Sequence, residues 1–524
     1  MLPLIGIDLG TTNSCLAHLS GGLPRVIPNL EGSPTTPSMV SFGTSGEALV
    51  GPTAQRHALL NPTGTFIAVK RLIGRKYASP EVQAAARRLP FRLSAAPNGD
   101  VLLAAGERKV SPQEIAAHIL GYLKLCAESH LGEPVAEAVI TVPAHFGDIQ
   151  RQATKDAARI AGLEVARMIN EPTAASLAFG LQKQKAGRVA VLDLGGGTFD
   201  VTILEISGGV FQVLATNGET ELGGEDFDAR IVDWLVESLP AESRDRLAGD
   251  PAARARLKAA AERAKCELSY TTGTDVHLPF LFGEGEAAHL QAELSRTVLE
   301  SLTGDLVERM IPSIGKTLAE CRLEPGRIDH VLLVGGQTRM PLLRRRVGRF
   351  FWRKIDDTVD PDQCVAVGAA IQSGILDGRM KDIVLLLDVT SMSLGIEIEG
   401  DGYEKLIEKN TTIPTKKTKP FTTVESNQRQ VRVHVLQGDE GRASQNTSLA
   451  VFDLVGIPAA PAGIPQIDVT FEIDADGIVR VRARDVKSGL EQAAEIAPSS
   501  GLTRQQVDEL IHSGRGRPKG AAGG

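Results

Sequence analysis

The chain has 524 residues, of which 42% are hydrophobic and 23% charged, and its formal net charge is −7. This length corresponds to about three to four compact units and excludes a single small domain, and the average composition favours neither a disordered chain nor a membrane protein. The acidic balance, an N-terminal MLPLIGIDLG without a basic region or cleavage site, and the lack of any apolar run near ~18 residues predict a cytoplasmic protein that binds neither nucleic acid nor membrane.

Up to about residue 380, apolar strand-like runs alternate with helical patterns, which is typical of α/β layering. The runs AEAVITVPA (136–144) and HVLLVGG (330–336) are predicted buried strands. A helix is predicted after Asp148 as its cap, with Gly162 as its stop, and residues 251–269 form a second helix rich in strong helix formers.

After Ile383 the short apolar segment VLLLDV (384–389) is predicted to be a linker that docks. The pattern then changes to period two, as in VRVHV (431–435) and in a hairpin reversed by Asp476 and Gly477, so residues 392–500 are predicted to be a β region. A short helix is predicted at LTRQQVDELI (502–511), with Thr503 and Gln506 as a capping box. No fold is assigned to the Gly-rich basic residues after it.

Two similar units carry the strongest functional signal: LIGIDLGTTNSCLAHL at the N-terminus and VAVLDLGGGTFDVTIL at 189–204. Each is an apolar strand ending in Asp-Leu-Gly, a Gly/Thr turn and a second strand. Backbone N–H groups and Thr hydroxyls in such hairpins can surround phosphate oxygens, beside a carboxylate (Asp8 or Asp193) able to hold hydrated Mg²⁺. The pair predicts two lobes with a nucleotide between them; the alternative is two ordinary β-hairpins. The P-loop motif is absent from the sequence.

Five segments taken together resemble the seventy-kilodalton heat-shock protein family, the DnaK-type chaperones: GIDLGTTNS, VLDLGGGTFDVT, VLLVGGQTRMP, NEPTAASLAFG and VLLLDV. The similarity runs almost without gaps to about Ile511. It implies an α/β actin-like two-lobed ATPase domain (1–382), a hydrophobic linker (383–391) and an all-β sandwich peptide-binding domain (392–500). Residues 501–524 are too few for the family's helical lid, so the lid is expected to be absent.

The resemblance assigns residues to the nucleotide cleft. Lys70, Glu171 and Thr198 match catalytic positions, and Asp8 and Asp193 match positions that hold Mg²⁺ through water, with K⁺ as a candidate second cation. Alone, Lys70 would pass as a surface lysine and Glu171 as the charge at a helix N-terminus. The remaining matched nucleotide-binding positions are Thr11, Thr12, Asn13, Gly195, Gly196, Gly223, Gly224, Glu225, Glu262, Lys265, Ser269, Gly335, Gly336, Arg339 and Asp362. The spacing of 262, 265 and 269 also places these three on one helix face.

The resemblance further assigns interdomain coupling and the action of J-domain co-chaperones to one set of residues, with a nucleotide-exchange factor as an additional partner. An apolar linker that is buried in one nucleotide state and released in the other is a two-position element that both sites can bias. The alternative is a buried edge strand without a switching role. The matched positions are Pro143, Arg151, Arg167, Asn170, Thr173, Leu385, Leu386, Leu387 and Asp388.

The family's groove for unfolded or extended polypeptides corresponds to Ile396, Ile398, Phe421, Val431, Val433 and Ile467, with Glu399 and Val424 at the pair that arches over the peptide. From periodicity alone, most of these residues would be core. Two residues depart from the family pattern. Glu399 stands where an apolar residue is expected, and Ser391 stands where the family has a proline after the linker. Glu399 predicts either weaker closure of the arch over the bound peptide or a preference for peptides with basic flanking residues. A groove without a lid predicts weak, fast peptide exchange in both nucleotide states.

Two other functions stay open. One is a metabolite kinase of the same actin-like fold, since phosphate-binding hairpins do not dictate the acceptor. The other is a nucleotide-binding co-chaperone without significant catalysis. The β region behind an apolar linker argues against the first, and the presence of Lys70, Glu171 and Thr198 argues against the second.

Overall fold

The computed structural model describes residues 2–43, 46–183, 186–282, 289–380, 384–495 and 501–514. Ile383, at the start of the predicted linker, residues 496–500 at the end of the predicted β region, and residues 515–524 of the tail lie outside them. The described residues form a mixed α/β structure with several sheets.

The first part of the chain is built on one sheet with the strand order β12-β11-β1-β2-β3, in which β4 pairs with β2. β1 is parallel to β11 and antiparallel to β2. Its elements are β1 (Leu4–Asp8), β2 (Asn13–Ser20), β3 (Leu23–Ile27), β4 (Thr35–Pro37), β5 (Val40–Phe42), β6 (Ala48–Val50), α1 (Pro52–His57), β7 (Thr65–Phe66), α2 (Pro80–Ala86), β8 (Leu93–Ala95), β9 (Val101–Ala105), β10 (Arg108–Val110), α3 (Pro112–Leu131), β11 (Glu137–Val142), α4 (Asp148–Ile160), β12 (Glu164–Asn170) and α5 (Glu171–Lys183).

The second part repeats the same pairing pattern, because β13 is parallel to β18 and antiparallel to β14. Helices α5 and α11 pack between the two sheets, so closely that a Cβ on Gly368 would lie 1.8 Å from Ala174 O. Its elements are β13 (Gly187–Leu194), β14 (Phe199–Ser207), β15 (Val210–Glu219), α6 (Gly224–Glu237), α7 (Ala241–Ala248), α8 (Pro251–Glu267), β16 (Gly273–Leu278), β17 (Leu290–Ser295), α9 (Arg296–Glu320), β18 (His330–Val334), α10 (Pro341–Phe351) and α11 (Cys364–Leu376).

The third part contains two four-stranded sheets, β21-β20-β24-β25 and β23-β26-β27-β28, which share one apolar core. In the hairpin predicted around Asp476, the alternating residues from Ile467 to Ile473 are buried, as the period-two pattern requires. The elements are β19 (Leu385–Val389), β20 (Leu394–Ile398), β21 (Gly402–Ile407), β22 (Thr412–Ile413), β23 (Thr415–Phe421), β24 (Gln430–Gln437), β25 (Thr447–Val455), β26 (Ile467–Ile473), β27 (Val479–Asp485), β28 (Glu491–Glu495) and α12 (Arg504–His512).

Helix α12 packs on α4 of the first part, where Val507 and Leu510 enter the apolar core beneath the first sheet. Thr503 and Gln506 form the predicted capping box. The tail helix is therefore packed against the first part of the chain, far from it in sequence.

Two local predictions about helix ends are wrong. Helix α4 begins at Asp148 itself with Gly147 as its cap, because the Asp148 carboxylate accepts a hydrogen bond from Val479 N instead of capping its own helix. Helix α8 ends at Glu267, so Ser269 lies in the following turn and does not share the helix face of Glu262 and Lys265. The side chain of Arg296 bonds the Leu268 carbonyl and closes the helix there.

Candidate functional site

The two Gly/Thr hairpins face each other across the cleft between the first two sheets. The first joins β1 to β2 and carries Asp8 and Thr12, and the second joins β13 to β14 and carries Asp193 and Gly196. A Cβ on Gly196 would lie 1.8 Å from Thr12 Oγ1, so only glycine allows this approach. Among the described residues, the buried Thr12 Oγ1 has no hydrogen-bond partner, as expected of a hydroxyl that awaits a ligand.

Lys70 and Glu171 form a largely buried ion pair beside these hairpins. Their Nζ and Oε1 atoms are 2.6 Å apart, and each side chain is 10% exposed. Lys70 lies in a 3-10 turn (Val69–Arg71) that follows Ala68, whose φ of 55° is left-handed. Glu171 is the first residue of α5, directly after β12. The fold thus brings together a lysine that alone would pass for a surface residue and a glutamate that alone would pass for the charge at a helix N-terminus.

Three buried carboxylates gather at this point. Burial, followed by the charge of Glu171, raises the pKa of Asp8 to about 7, although Thr141 donates a hydrogen bond to it. Burial, followed by Glu171 and Asp200, raises the pKa of Asp193 well above its ordinary value. Burial also raises the pKa of Glu171 against the opposing effect of Lys70. This excess of buried negative charge fits a hydrated divalent cation.

The N-terminus of α6 closes the same cleft. Gly224 N donates to Gly195 O (2.9 Å) and Glu225 N to Gly196 O (3.0 Å), which ties the helix start to the second hairpin. Lys265 Nζ is held by Gly224 O (3.0 Å) and the Asp228 carboxylate (2.8 Å). The N–H groups of Gly224 and Glu225 are therefore used within the protein, and the start of α6 supports the second hairpin from behind.

The other predicted nucleotide residues lie around Gly335, which follows β18. A Cβ on Gly335 would lie 2.4 Å from Leu194 O, so this turn packs directly on the second hairpin. Arg339 Nε bonds Asp362 (2.9 Å), and a Cβ on Gly336 would lie 2.9 Å from the same carboxylate. The remaining members, Thr11, Asn13, Thr198, Glu262, Ser269 and Gly223, sit on the elements already described and are half-buried, apart from the exposed Asn13 and the buried Gly223.

The predicted linker is a strand of the second sheet. In β19, Leu385, Leu386 and Leu387 pair in parallel with Val210–Gln212 of β15, and β22 pairs on the other side. Leu386 is partly buried and packs against the core between the sheets, whereas Leu385 is 49% exposed. The Asp388 carboxylate accepts a hydrogen bond from Thr173 Oγ1 of α5 (3.0 Å). A segment that the sequence placed between domains therefore extends the sheet that carries Asp193.

Three of the predicted coupling residues lie at or beside the β26–β27 turn. Arg151 is buried and donates to Asn170 Oδ1 (2.6 Å) and Asp476 O (3.2 Å), and Arg167 approaches the Asp476 carboxylate to 3.6 Å. Pro143 is buried close by, next to the cavity that contains Lys70. The structure thus brings residues of the first part of the chain onto a turn 325 positions later than Arg151.

Sequence reasoning missed the partners on the β side of this contact. Besides Asp476, they are Val479, whose N–H bonds Asp148 (2.7 Å), and Gln437, which accepts from Asp148 N (3.2 Å). A second contact joins Lys409 Nζ to Asn217 Oδ1 (2.6 Å). The sequence predicts only a turn at the Asp-Gly pair of 476 and 477. Nothing in the local pattern distinguishes a turn that contacts another part of the chain from one that is exposed to solvent.

The predicted peptide-binding residues divide into a core set and an exposed set. Ile396, Val433 and Ile467 are buried, Phe421 and Val431 pack partly on them, and Ile398, Glu399 and Val424 are exposed. Ile398 and Val424 are 41% and 65% exposed. The exposed set lies at the end of β20 and just after β23.

Three further features bear on other functions: the arginine run at 344–346, the length and polarity of the helices, and the arrangement of metal-binding side chains. Arg344, Arg345 and Arg346 are each paired with a carboxylate, of Asp357, Glu300 and Glu308. Within the described ranges, no helix is both long and apolar enough to cross a membrane. No cluster of three His, Cys, Asp or Glu side chains in those ranges is arranged to bind a metal directly.

A comparison with known families is consistent with this architecture. The family model described as Hsp70 protein matches residues 4–517 of the 524. The matched region includes both hairpins, the Lys70–Glu171 pair, β19 and the two sheets of the β region. This chain belongs to the Hsp70 family.

Proposed function

We propose that this protein is an ATP-dependent molecular chaperone in which hydrolysis of ATP, between the two hairpins, changes the affinity of the β region for extended apolar segments of unfolded proteins. The general chaperone and ATPase activities follow from the family, whose members are ATPases that bind ATP or ADP with Mg²⁺ and act as chaperones. We assign residues 1–382 to an actin-like ATPase domain, 383–391 to the linker and 392–500 to a β-sandwich peptide-binding domain, with 501–524 as a helix and tail.

The cleft contains the groups that phosphoryl transfer to water requires. Asp8 and Asp193 would hold Mg²⁺ through its waters, and the ion would supply positive charge against the phosphates. Lys70, fixed by Glu171, places an ammonium where charge builds up on the γ-phosphate. Thr198 lines the same cavity as Lys70, and its hydroxyl would orient the attacking water or the γ-phosphate.

The observation that supports coupling most strongly is the strand order β18-β13-β14-β15-β19-β22. The hairpin bearing Asp193 and Thr198 joins two strands of this sheet, and the linker strand β19 is another. A change in hairpin position on hydrolysis would therefore reach β19 through β14 and β15, by main-chain hydrogen bonds. Release of β19 would free the β region from its contacts at Asp476 and Lys409.

The β region would bind peptide at the exposed residues Ile398, Glu399 and Val424, above the buried Ile396, Val433 and Ile467. An extended peptide supplies apolar side chains that cover such a surface and backbone groups that pair with strand edges. J-domain co-chaperones and nucleotide-exchange factors, which act on the family in general, are the proposed partners.

Peptide affinity in the two nucleotide states tests this proposal. We expect the dissociation constant of a fluorescent extended apolar peptide to differ between ATP and ADP by at least about fivefold, the lower end of ordinary coupling free energies. Equal dissociation constants with ATP and with ADP bound would contradict coupling.

Analysis of the reaction products separates the two alternative functions. A metabolite kinase would transfer phosphate to a small hydroxyl compound, and a non-catalytic co-chaperone would leave ATP intact.

A further inference from the structure

His145 lies next to the candidate catalytic groups, in the segment that joins β11 to α4. Its side chain is 13% exposed and lines the same small cavity as Lys70 and Thr198. Histidine exchanges protons near neutral pH more readily than any other side chain. The fold therefore puts a group that can take up a proton beside the lysine and the threonine of the cleft.

A buried carboxylate fixes the ring of His145. The Nδ1 atom is hydrogen-bonded to the carboxylate of Asp200, a residue of β14 that is 1% exposed. The backbone of β15 packs on this pair, because a Cβ on Gly218 would lie 2.9 Å from Asp200 Oδ1 and 3.1 Å from His145 Nδ1. An ionised carboxylate only accepts hydrogen bonds, so Nδ1 carries the proton and Nε2 of the neutral ring remains an acceptor.

The acceptor nitrogen of His145 has no partner in the protein. Nε2 is buried, and none of the described residues forms a hydrogen bond with it. Buried polar atoms are nearly always paired with protein or with water. The cavity that His145 lines has room for about one water molecule. A single water there would satisfy Nε2 and would lie beside Lys70 and Thr198, which line the same space.

The charges around His145 favour the uptake of a proton. They are the carboxylates of Asp200 and Glu171 and the cations of Lys70, Arg71 and Arg75. The three cations are already paired with carboxylates. Among the ion pairs of the described residues, Asp200 is paired with His145 alone. A positive ring would therefore neutralise a buried carboxylate, which stabilises the imidazolium.

We propose that His145 is the general base of ATP hydrolysis and accepts the proton that the attacking water loses, an inference that rests on the proposed function. The oxygen of the attacking water forms a bond to the γ-phosphorus. The bond from that phosphorus to the bridging oxygen breaks, and its electron pair stays on ADP. The attacking water gives a proton to the water in the cavity, which gives one of its own protons to Nε2. The imidazolium beside Asp200 later releases this proton to solvent.

The pH dependence of single-turnover ATP hydrolysis, measured on the full chain with saturating Mg²⁺, tests the inference. We expect the wild-type rate to rise with pH and to level off near neutrality, as the ring loses its proton. His145→Gln retains a polar side chain but cannot take up a proton. It should hydrolyse ATP about 100-fold more slowly, the lower end of ordinary general-base contributions, and without this inflection. Its affinity for ATP, measured by calorimetry, should be unchanged.

Two further variants separate proton transfer from a structural role. Imidazole added to His145→Gly should restore part of the rate, because the free base can occupy the space that the side chain leaves. The matched control is His277→Gln, since His277 is exposed on β16 and lines no part of the cavity. It should keep the wild-type rate and pH profile. Asp8 and Glu171 remain in all of these variants, so an inflection that disappears belongs to His145.

A wild-type rate that does not change between about pH 5.5 and pH 8.5, the range in which histidine titrates, would overturn the inference even if every variant failed to fold. So would a His145→Gln protein that keeps the wild-type rate and inflection. A wild-type protein that cleaves ATP, with either of these results, refutes only the role of His145. A wild-type protein that does not cleave ATP refutes the proposed function.

Discussion

Lys70 and Glu171 come from segments 101 residues apart and meet as an ion pair in the cleft. We predict that Lys70→Ala lowers the rate of ATP hydrolysis by about 100-fold or more, because it removes a preorganised positive charge and leaves Glu171 buried without its partner. Single-turnover hydrolysis with radiolabelled ATP measures the effect.

The control for this change is Lys76→Ala. Lys76 lies six residues further along, is 40% exposed and bonds Asp100 instead of a cleft residue. Its replacement should change the hydrolysis rate by less than about twofold. Equal losses in the two variants would show that Lys70 acts on stability alone.

At the level of single residues, the sequence predicts local turns and caps but not pairs formed between distant segments. The Asp-Gly turn at 476 and the capping box at Thr503 follow from local chemistry, and the structure confirms both. The Lys70–Glu171 pair could not be derived locally, because a lysine in a basic run is usually solvated. Only the resemblance to a family placed Lys70 in the cleft, and its catalytic role stays a prediction.

Among the elements, β19 carries the coupling in this account. We predict that Leu386→Asp weakens the attachment of β19 to β15, because it removes an apolar side chain that packs partly against the core between the sheets and puts a carboxylate in its place. Hydrogen exchange of the backbone amides of residues 385–389 should lose its protection, and hydrolysis should no longer respond to peptide.

Leu385→Asp is the matched control on the same strand. Leu385 is 49% exposed and faces away from that core, so its replacement should leave both protection and the peptide response nearly intact. Equal loss in both variants would mean that strand propensity, and not packing of Leu386, holds β19 in place.

The contact between α4 and β27 should depend on pH through Asp148. Burial raises the pKa of Asp148 from 3.8 to about 7, although Val479 N–H and Arg151 oppose the shift. The docked state therefore binds the proton more tightly than an undocked, solvated Asp148. Docking is strongest at low pH and weakens as pH rises from about 4 to about 7, by at most about 4 kcal/mol.

Hydrogen exchange of the Val479 amide between pH 5 and pH 8, corrected for the intrinsic rate, checks this dependence. Asp148→Asn should make its protection nearly independent of pH. Asp156→Asn on the same helix is the control, because Asp156 bonds Gln152 and does not contact β27. Protection that rises with pH in the wild type would contradict the sign of the effect.

The elements themselves were largely predictable, and their partners were not. The hydrophobic periods predicted β11, β18, the β26–β27 hairpin and the tail helix α12, since these depend on local pattern. The pairing of β19 with β15, and of α12 with α4, involves surfaces far apart in sequence. No local signal selects one apolar surface over another for such contacts.

At the scale of the whole molecule, the contacts of the described residues that join the cleft-forming part of the chain to the β region include three connections. They are the strand β19, the turn at Asp476 against Arg151 and Arg167, and Lys409 against Asn217. Two of them involve β15 of the second sheet, and at the third Arg151 donates a hydrogen bond to Asn170, which directly precedes Glu171. In the proposed function, nucleotide and peptide act on one docking equilibrium through these contacts.

Single-turnover ATP hydrolysis by the intact chain, with and without a saturating extended apolar peptide, tests that claim most directly. We predict that peptide raises the rate at least about fivefold, because binding at the β region shifts the docking equilibrium on which the cleft geometry depends. An identical rate with demonstrably bound peptide would show that the two sites are uncoupled and would contradict the account.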